Sequence, residues 1–408
     1  MHQADFKFIA NSLKDLEIKS RKIDILSWYM VSIMIPAANH TQANASDISH
    51  KDASLFSNLL YGDTNESKTA LNRAARRRLD KLMRIRKKIV GDQEWTVMLI
   101  IDSSLHSRSS RHVQNGQRFN HGDGWVKGHQ WTNIGLLIAG QFVPLAPIAF
   151  YTQDECKDRG IEYKTELEKV SEFLRTLNLP CPSEEIVVVA DSGYDCKQLE
   201  NVILSRGWDF IISLKSHRTI SEDIKNWKRV DIYFGDGRRP SKSIRIASCR
   251  GKKKVQREHE VKQRLGYLKD VRRQVKIVSS KRSSDAKLKF LACSSLDCDI
   301  KSILVCYRMR WEIELFHRDL KSYLGLEHAG VHSFDALMNH VHWVYLCYHL
   351  LKERFACGIR SAQLKLKKEL EIKEKNRVIQ TLTQINGIHK IKSQYQSVIQ
   401  RMEVDKVA

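Results

Sequence analysis

The segment from Tyr307 to Lys321, Tyr-Arg-Met-Arg-Trp-Glu-Ile-Glu-Leu-Phe-His-Arg-Asp-Leu-Lys, carries four polar groups at a telling spacing. Tyr307, Arg310, Glu314 and Lys321 are separated by two, three and six residues. With Tyr307 at zero and about 100° per helical residue, Arg310 falls at about 300°, Glu314 at about 340° and Lys321 at about 320°. The four share one narrow stripe. Met309, Ile313, Phe316, Leu320 and Leu324 fall on a separate apolar face, at about 180° to 260° by the same pitch. One face can bury the helix while the other presents a carboxylate, two cations and a phenol. That set suits a site holding a metal ion and a phosphate.

Glu314 alone would be an ordinary helix glutamate paired with Arg310 at i,i+4. Two further carboxylates change its weight. Trp95 to Ile101 reads as a buried strand ending at Asp102, and Glu185 to Ala190 as a β-branched strand ending at Asp191. An aspartate at a strand end is often only a turn former. In open α/β sheets, however, ligands gather at the carboxyl ends of parallel strands. Two aspartates there and a glutamate facing them make an oxygen-rich pocket. Such a pocket suits Mg²⁺ or Mn²⁺, and two ions can serve both the attacking and the leaving oxygen of a phosphodiester.

The elements that must position these groups can be read along the chain. Residues 1–92 read as helical and basic, with a polar loop from Ala38 to Asp52. A helix from Ser67 to Lys88 carries Arg73, Arg76, Arg77, Arg78, Lys81, Arg84, Arg86, Lys87 and Lys88, with Leu71, Leu79, Leu82 and Ile85 as its buried stripe. The single sign of that charge run points to DNA backbone contact. Residues 93–215 read as strands at Trp95–Ile101, Thr132–Ala139, Phe142–Phe150, Glu185–Ala190 and Trp208–Lys215. Helices are expected at Ile161–Leu177 and Tyr194–Arg206. The result is a mixed α/β sheet whose first three strands are antiparallel. Residues 216–289 read as a β-rich basic insertion, with pieces such as Asp231–Phe234 and Gln274–Val278 among basic clusters at Lys252-Lys253-Lys254 and Arg272-Arg273. Residues 290–356 return to the core with Phe290-Leu291-Ala292, the glutamate helix capped by Asp297 or Asp299 and stopped by Gly325, and an apolar helix over His340–Phe355. Residues 357–408 read as one or two basic helices.

Composition narrows the partner. The chain has 408 residues, a formal net charge of +22 and a pI near 9.6. Positive charge on this scale favours a polyanion. No lipidation motif or sustained amphipathic basic helix argues for a membrane surface. The most apolar run, Trp131 to Tyr151, is interrupted at Gly140-Gln141 and reads as two strands. Nine cysteines are scattered with no CxxC pair, which reads as free thiols in a reducing compartment.

The chain resembles the IS-four group of bacterial insertion-sequence transposases, within the DDE transposase superfamily. The resemblance rests on Tyr307, Arg310, Glu314 and Lys321 in the Tyr-x2-Arg-x3-Glu-x6-Lys signature. It also rests on Leu99-Ile100-Ile101-Asp102-Ser103-Ser104 and on Val189-Ala190-Asp191-Ser192-Gly193-Tyr194-Asp195. It covers about residues 90 to 350. The resemblance implies an RNase H-like catalytic core interrupted by a β-rich insertion before its glutamate helix; the helical N- and C-terminal regions are read from the residues alone. It implies cut-and-paste DNA transposition, in which water and then the freed 3′-OH attack phosphodiesters in line. Asp102, Asp191 and Glu314 are then the catalytic and metal-binding acids, with two Mg²⁺ ions for which Mn²⁺ can substitute. Arg310 and Lys321, cations on the same stripe, can clamp DNA phosphates beside the metals, and Tyr307 either hydrogen-bonds a phosphate or is a half-buried core tyrosine. The implied partners are double-stranded DNA, as transposon terminal inverted repeats and target, and a second copy of the chain on that DNA, in the bacterial cytoplasm.

Weaker candidates flank this set. Lys127 and His129 precede the second strand and could line a DNA groove, although a turn with a satisfied histidine explains them as well. Trp227 and Trp311 could stack on a flipped base, against core packing as the plainer account. Asp195 could be a further acid or a helix cap, and His317 approaches the site at about 280° on the motif helix. Two rivals share these residues. Another RNase H-like metal nuclease has no evident use for the Arg310/Lys321 stripe or the insertion. A retired transposase kept as a DNA-binding regulator has no need of intact acids.

Overall fold

Apolar residues at helical spacing make the N-terminal region a set of packed helices: α1 (Lys7–Asp15), α2 (Ser20–Met34), α3 (Gln42–Ser49), α4 (Ala53–Leu60) and α5 (Thr64–Ile89). The coordinates are a computed structural model. They describe residues 6–35, 42–89, 94–108, 113–120, 124–235, 240–250, 253–271, 273–282 and 287–404. The expected loop from Ala38 to Asp52 is corrected in part, because α3 lies inside it and buries Ala45; positions 38–41 lie outside the described residues. Asp52 does end the loop as expected of its type, its side chain capping α4 by accepting from Ser54 N at 2.7 Å.

The sheet begins with β1 (Val97–Ser107), β2 (Gln117–Asn120), β3 (Trp125–Ile138), β4 (Gln141–Pro144) and β5 (Ile148–Ala149). Then come α6 (Gln153–Asp158), α7 (Glu166–Thr176), β6 (Ile186–Ala190), α8 (Lys197–Ser205) and β7 (Asp209–Leu214). β8 (Thr219–Ser221), β9 (Lys228–Arg229), α9 (Val230–Gly235), β10 (Lys242–Arg250), β11 (Lys253–Leu268), β12 (Gln274–Arg282) and β13 (Lys289–Cys293) follow. The chain closes with α10 (Ile300–Met309), α11 (Trp311–Tyr323), α12 (Phe334–Phe355) and α13 (Ile359–Val404).

The protein is a mixed α/β structure around one sheet ordered β2-β3-β1-β6-β7-β13-β12-β11-β8-β9. β1, β6 and β7 are parallel neighbours, while β3 runs antiparallel to β1 and β4 to β3. The β-rich stretch between β7 and β13 does not close on itself. β13 returns beside β7, and β12 and β11 carry the sheet onward from it. Asp231–Phe234 is corrected from strand to helix: Val230, Tyr233 and Phe234 of α9 are all buried, a spacing that one helix face satisfies and a strand does not. Lys252 and Arg272 lie outside the described residues.

Alternation along the strands sorts the core into two layers. Val97, Leu99 and Ile101 join one cluster, shared with Val170 and Leu174 of α7 and Leu199 of α8. Met98 and Ile100 join the other, shared with Ile313, Phe316 and Leu320 of α11 and most of α12. Val187 and Val189 of β6 lie in that second layer too. The period of two therefore sends residues 102 and 191 toward α11. α12 is apolar nearly all round and is buried from Ala336 to Leu351, where α5 and α2 also pack on it. It starts at Phe334, earlier than the sequence pattern suggests, with Ser333 as its cap.

The C-terminal region is one helix, α13. Its start is seated by Ile359, Ala362, Leu366 and Leu370, and beyond them Val378, Ile379 and Leu382 are exposed. No helix among the described residues is long and apolar enough to cross a membrane. The described cysteines are all free.

Candidate active site

Three elements converge on one corner of the sheet. β1 pairs with β6 only as far as Ile101 opposite Ala190. The next residue on each strand is an aspartate, so Asp102 and Asp191 stand side by side where the parallel ladder stops. Asp102 does not end its strand, which corrects the sequence reading. β1 runs on to Ser107 because β3 continues to pair with it, Asp102 lying opposite Asn133. Asp191 does end β6, and its side chain accepts from Gly193 N at 2.8 Å to cap the 3₁₀ turn Ser192–Tyr194.

That turn is stapled from the other side of the sheet. Tyr194 Oη donates to Glu166 Oε1 at 2.7 Å, and Thr132 Oγ1 donates to the same oxygen at 2.8 Å. Gln130 Nε2 donates to Glu166 Oε2 at 2.8 Å. Glu166 opens α7 behind the Thr165 cap, so a helix start, β3 and the Asp191 turn meet at one carboxylate. Sequence reasoning missed Glu166. Its only signal was the tyrosine that follows Asp191-Ser192-Gly193.

The motif stripe is not one unbroken helix. α10 ends at Met309 and α11 begins at Trp311, with Arg310 at the joint. Its dihedrals, φ −51° and ψ −29°, stay helical, so the backbone does not turn out of the helical region at the joint. Three-residue hydrogen bonds, Arg310 N to Tyr307 O and Ile313 N to Arg310 O, tighten the joint. Asp299, the second of the two expected caps, holds the start of α10 by accepting from Lys301 N at 2.8 Å. Gly325 follows the end of α11 at φ +60°, as expected of a stop. Ile313, Phe316, Leu320 and Leu324 are buried as the apolar face, and Met309 is partly so.

Arg310 links the acids. Its Nη1 donates to Asp102 Oδ2 at 3.3 Å and its Nη2 pairs with Glu314 Oε1. The side chains of Arg310 and Asp102 are each only 17% exposed, so these charges face one another with little water between. Burial is the largest influence on Asp102 and lifts its pKa to about 7; Arg310 opposes the rise, and Asp191 and Glu314 add to it. The acid corner is thus crowded with negative charge that one guanidinium only partly offsets.

The other members of the stripe lie farther out. Lys321 Nζ donates to Leu105 O at 3.0 Å and pairs with Glu327 at 3.1 Å, so it is brought to β1 beyond Asp102 rather than in among the acids. Tyr307 is partly buried beside Ser213 and Arg310, and burial pushes its phenol up. His317, one turn after Glu314, meets Asn133 across the sheet: its Nε2 lies 2.7 Å from Asn133 Nδ2. Burial, with Lys321 and Arg310 nearby, lowers its pKa to about 4. Asn133 was missed as well, although a lone amide in the apolar run from Trp131 to Ile138 was its signal.

The weaker candidates divide. His129 and Lys127 lie within β3 rather than in a turn before it. His129 is 1% exposed, bonded through Nε2 to Gln114 O, and so lines no open groove. Trp311 is not core but 56% exposed, next to Arg310. Asp195 caps no helix: its side chain is buried, accepting from Lys215 N at 2.8 Å and pairing with Arg218 at 3.4 Å.

Among the described residues, no group of three or more His, Cys, Asp and Glu side chains stands close enough to share a metal ion. The donors themselves are of the right chemistry, all carboxylate oxygens suited to a hard divalent cation. Arg310 pairs with both Asp102 and Glu314 and so balances part of their charge.

Residues 163–350 match the family model described as the transposase DDE domain. No curated protein matches the chain. The matched stretch holds Asp191, Tyr307, Arg310, Glu314 and Lys321, and begins after Asp102. Over those residues the chain is similar to the transposase DDE domain, and the similarity supports a DDE transposase family and a transposase function.

Proposed function

We propose that the chain is a DNA transposase of the IS-four type, which cleaves transposon ends and joins them to target DNA at Asp102, Asp191 and Glu314. The observation that carries this reading is the end of the β1–β6 ladder, which leaves two aspartates abreast on the sheet face that α11 covers with Glu314. The sheet order from β4 through β3, β1 and β6 to β7 is compatible with an RNase H-like core, which residues 93–215 and 290–356 would form. Residues 216–289 would be its insertion, and residues 1–92 and 357–408 its basic flanks.

In this reading Asp102, Asp191 and Glu314 would hold two Mg²⁺ or Mn²⁺ ions. When bound, they supply activation of the attacking oxygen and stabilisation of the leaving one. Arg310 is the group whose place changes. A cation among the acids would take over its balancing role and free its fork for a DNA phosphate, which a guanidinium grips in two places. Lys321 would bind the next phosphate along β1, and Tyr307 would close the phosphate side of the stripe. DNA is the partner that a transposase implies, with two copies of the chain synapsing two ends.

The test is cleavage of linear DNA bearing the inverted repeats that flank the gene. Asp102→Ala, Asp191→Ala and Glu314→Ala should each abolish Mg²⁺-dependent cleavage and keep DNA binding; retained cleavage in any one of them overturns the assignment. Joining of precut ends separates a transposase from a plain nuclease, which would cut without joining.

A further inference from the structure

A chain of hydrogen bonds runs from the core to the rim of the acid site. It starts at Trp131 Nε1, which can only donate. The indole donates to Tyr345 Oη at 3.2 Å. Tyr345 is fully buried, and its own proton goes to Asn133 Oδ1. That bond fixes which way the Asn133 amide faces, leaving Nδ2 toward His317 Nε2 at 2.7 Å. An amide NH₂ has donors only, so Nε2 must accept. The single proton of the neutral ring therefore sits on Nδ1.

The place of that proton matters. Asn133 lies opposite Asp102 across β1 and β3. On α11, His317 follows Glu314 by three residues and precedes Lys321 by four, between the acid and the outer cation. Nε2 is engaged, while Nδ1 meets no acceptor among the described residues. Three residues on two other elements thus orient the ring of His317, whose remaining N–H stands on α11 one turn after Glu314 with Lys321 and Arg310 nearby, a larger investment than packing an imidazole requires.

We propose that His317 donates its Nδ1–H to a non-bridging oxygen of the phosphate transferred at this site, with Asn133, Tyr345 and Trp131 as positioning residues that set its tautomer. The proposal rests on the transposase reading above. No proton leaves the ring: the bond strengthens as negative charge gathers on the phosphate oxygen, and its donor is already aligned.

The experiment has two arms. In the first, ¹⁵N NMR reads the tautomer on full-length protein labelled at histidine, without DNA, the His317 signals being identified by their loss in His317→Gln. The wild type should show a protonated Nδ1 and a bare Nε2. Asn133→Asp should reverse them, because a carboxylate accepts from Nε2–H, and Tyr345→Phe should give a mixture. A protonated Nε2 in the wild type overturns the proposal and leaves the transposase reading untouched. In the second arm, single-turnover cleavage by Asn133→Asp and His317→Gln should fall about 10- to 100-fold, the rate equivalent of one hydrogen bond to a charged oxygen, with DNA affinity within about twofold of wild type. Unchanged cleavage in Asn133→Asp, with its tautomer reversed, also overturns it. Tyr345→Phe, which keeps the ring in the core, guards against misfolding: it should lose rate without losing DNA affinity. If the wild type cleaves no DNA, the phosphate role falls together with the transposase reading, whatever the tautomer.

Discussion

Replacing Asp102 by Asn should make the metal-free protein more stable at alkaline pH while removing its activity. The folded chain holds the Asp102 proton until about pH 7, whereas an unfolded aspartate loses it near 4. A group with a raised folded pKa contributes stability that is whole below its unfolded value and is lost as pH rises through the folded one. Integrated between pH 5 and pH 8.5, this one carboxyl should cost the wild type about 3 kcal/mol. The side chain is only 17% exposed, so solvent screening leaves most of that figure standing. Asn carries no charge at either pH, and constant effects of the substitution cancel when its two pH values are compared. Differential scanning calorimetry in EDTA should therefore show the Tm difference, Asp102→Asn minus wild type, growing by several degrees from pH 5 to pH 8.5. Adding Mg²⁺ at pH 8.5 should narrow the gap, since a cation that binds only the folded wild type stabilises it by about 2.7 kcal/mol at a hundred times its Kd. A Tm difference that is the same at both pH values refutes the reasoning, because the acid corner would then not be crowded in the way that the charges around Arg310 require.

Arg310→Ala should raise the Asp102 pKa further, since the guanidinium opposes its rise more than the Ser103 N–H does; carboxyl ¹³C NMR titration would show a fall or no change if the pairing is spurious. Phe316→Ala should cost about 3–5 kcal/mol in urea unfolding, because that ring is 1% exposed among Phe142, Tyr345 and Tyr348 and fixes α11 to the sheet. Gly128→Ala should destabilise by about 3 kcal/mol, the upper part of the usual overpacking range, read as a lower Tm, because its Cβ would stand 2.0 Å from the backbone oxygen of His106 on β1.

The acid corner was legible because its logic is local. β-branched runs that end in an aspartate, and a helix stripe of fixed pitch, place Asp102, Asp191 and Glu314 without knowledge of the rest. What the sequence concealed depends on pairings far apart in the chain. Asp102 seemed to end its strand because the apolar run stops at Ile101; β3 extends β1 for five more residues through pairs such as Ser103 with Thr132 and His106 with His129. Asn133, Tyr345 and Glu166 join the corner only through cross-sheet contacts, and no spacing reveals those. Asp231-Ile232-Tyr233-Phe234 misled because aromatic and branched residues favour strands in isolation, while the burial of Val230, Tyr233 and Phe234 made that piece a helix. The break at Arg310 was invisible because its dihedrals stay helical.

The charge run on α5 does not present all of its cations to solvent. Read as a stripe, Arg73 to Lys88 suggests a face for DNA. Within the fold, much of that charge is already engaged. Arg78 is 4% exposed, bonded to His349 and to Phe142 O, and burial lowers its pKa. Arg77 forks onto Glu353, Arg86 onto Glu185, and Arg73 onto Leu16 O and Glu17. These pairs tie α5 to α12, to the start of β6 and to the end of α1. A guanidinium already paired with a carboxylate or turned into the fold keeps spare N–H donors but has its charge and reach largely committed inside, so it draws a phosphate less strongly than an unpaired one. Arg310 is in a different position, because its partners are the carboxylates proposed above as metal ligands. The net charge of +22 favours a polyanionic partner, and in the proposed reading Arg310 is a cation whose internal partners, Asp102 and Glu314, have another ligand to turn to.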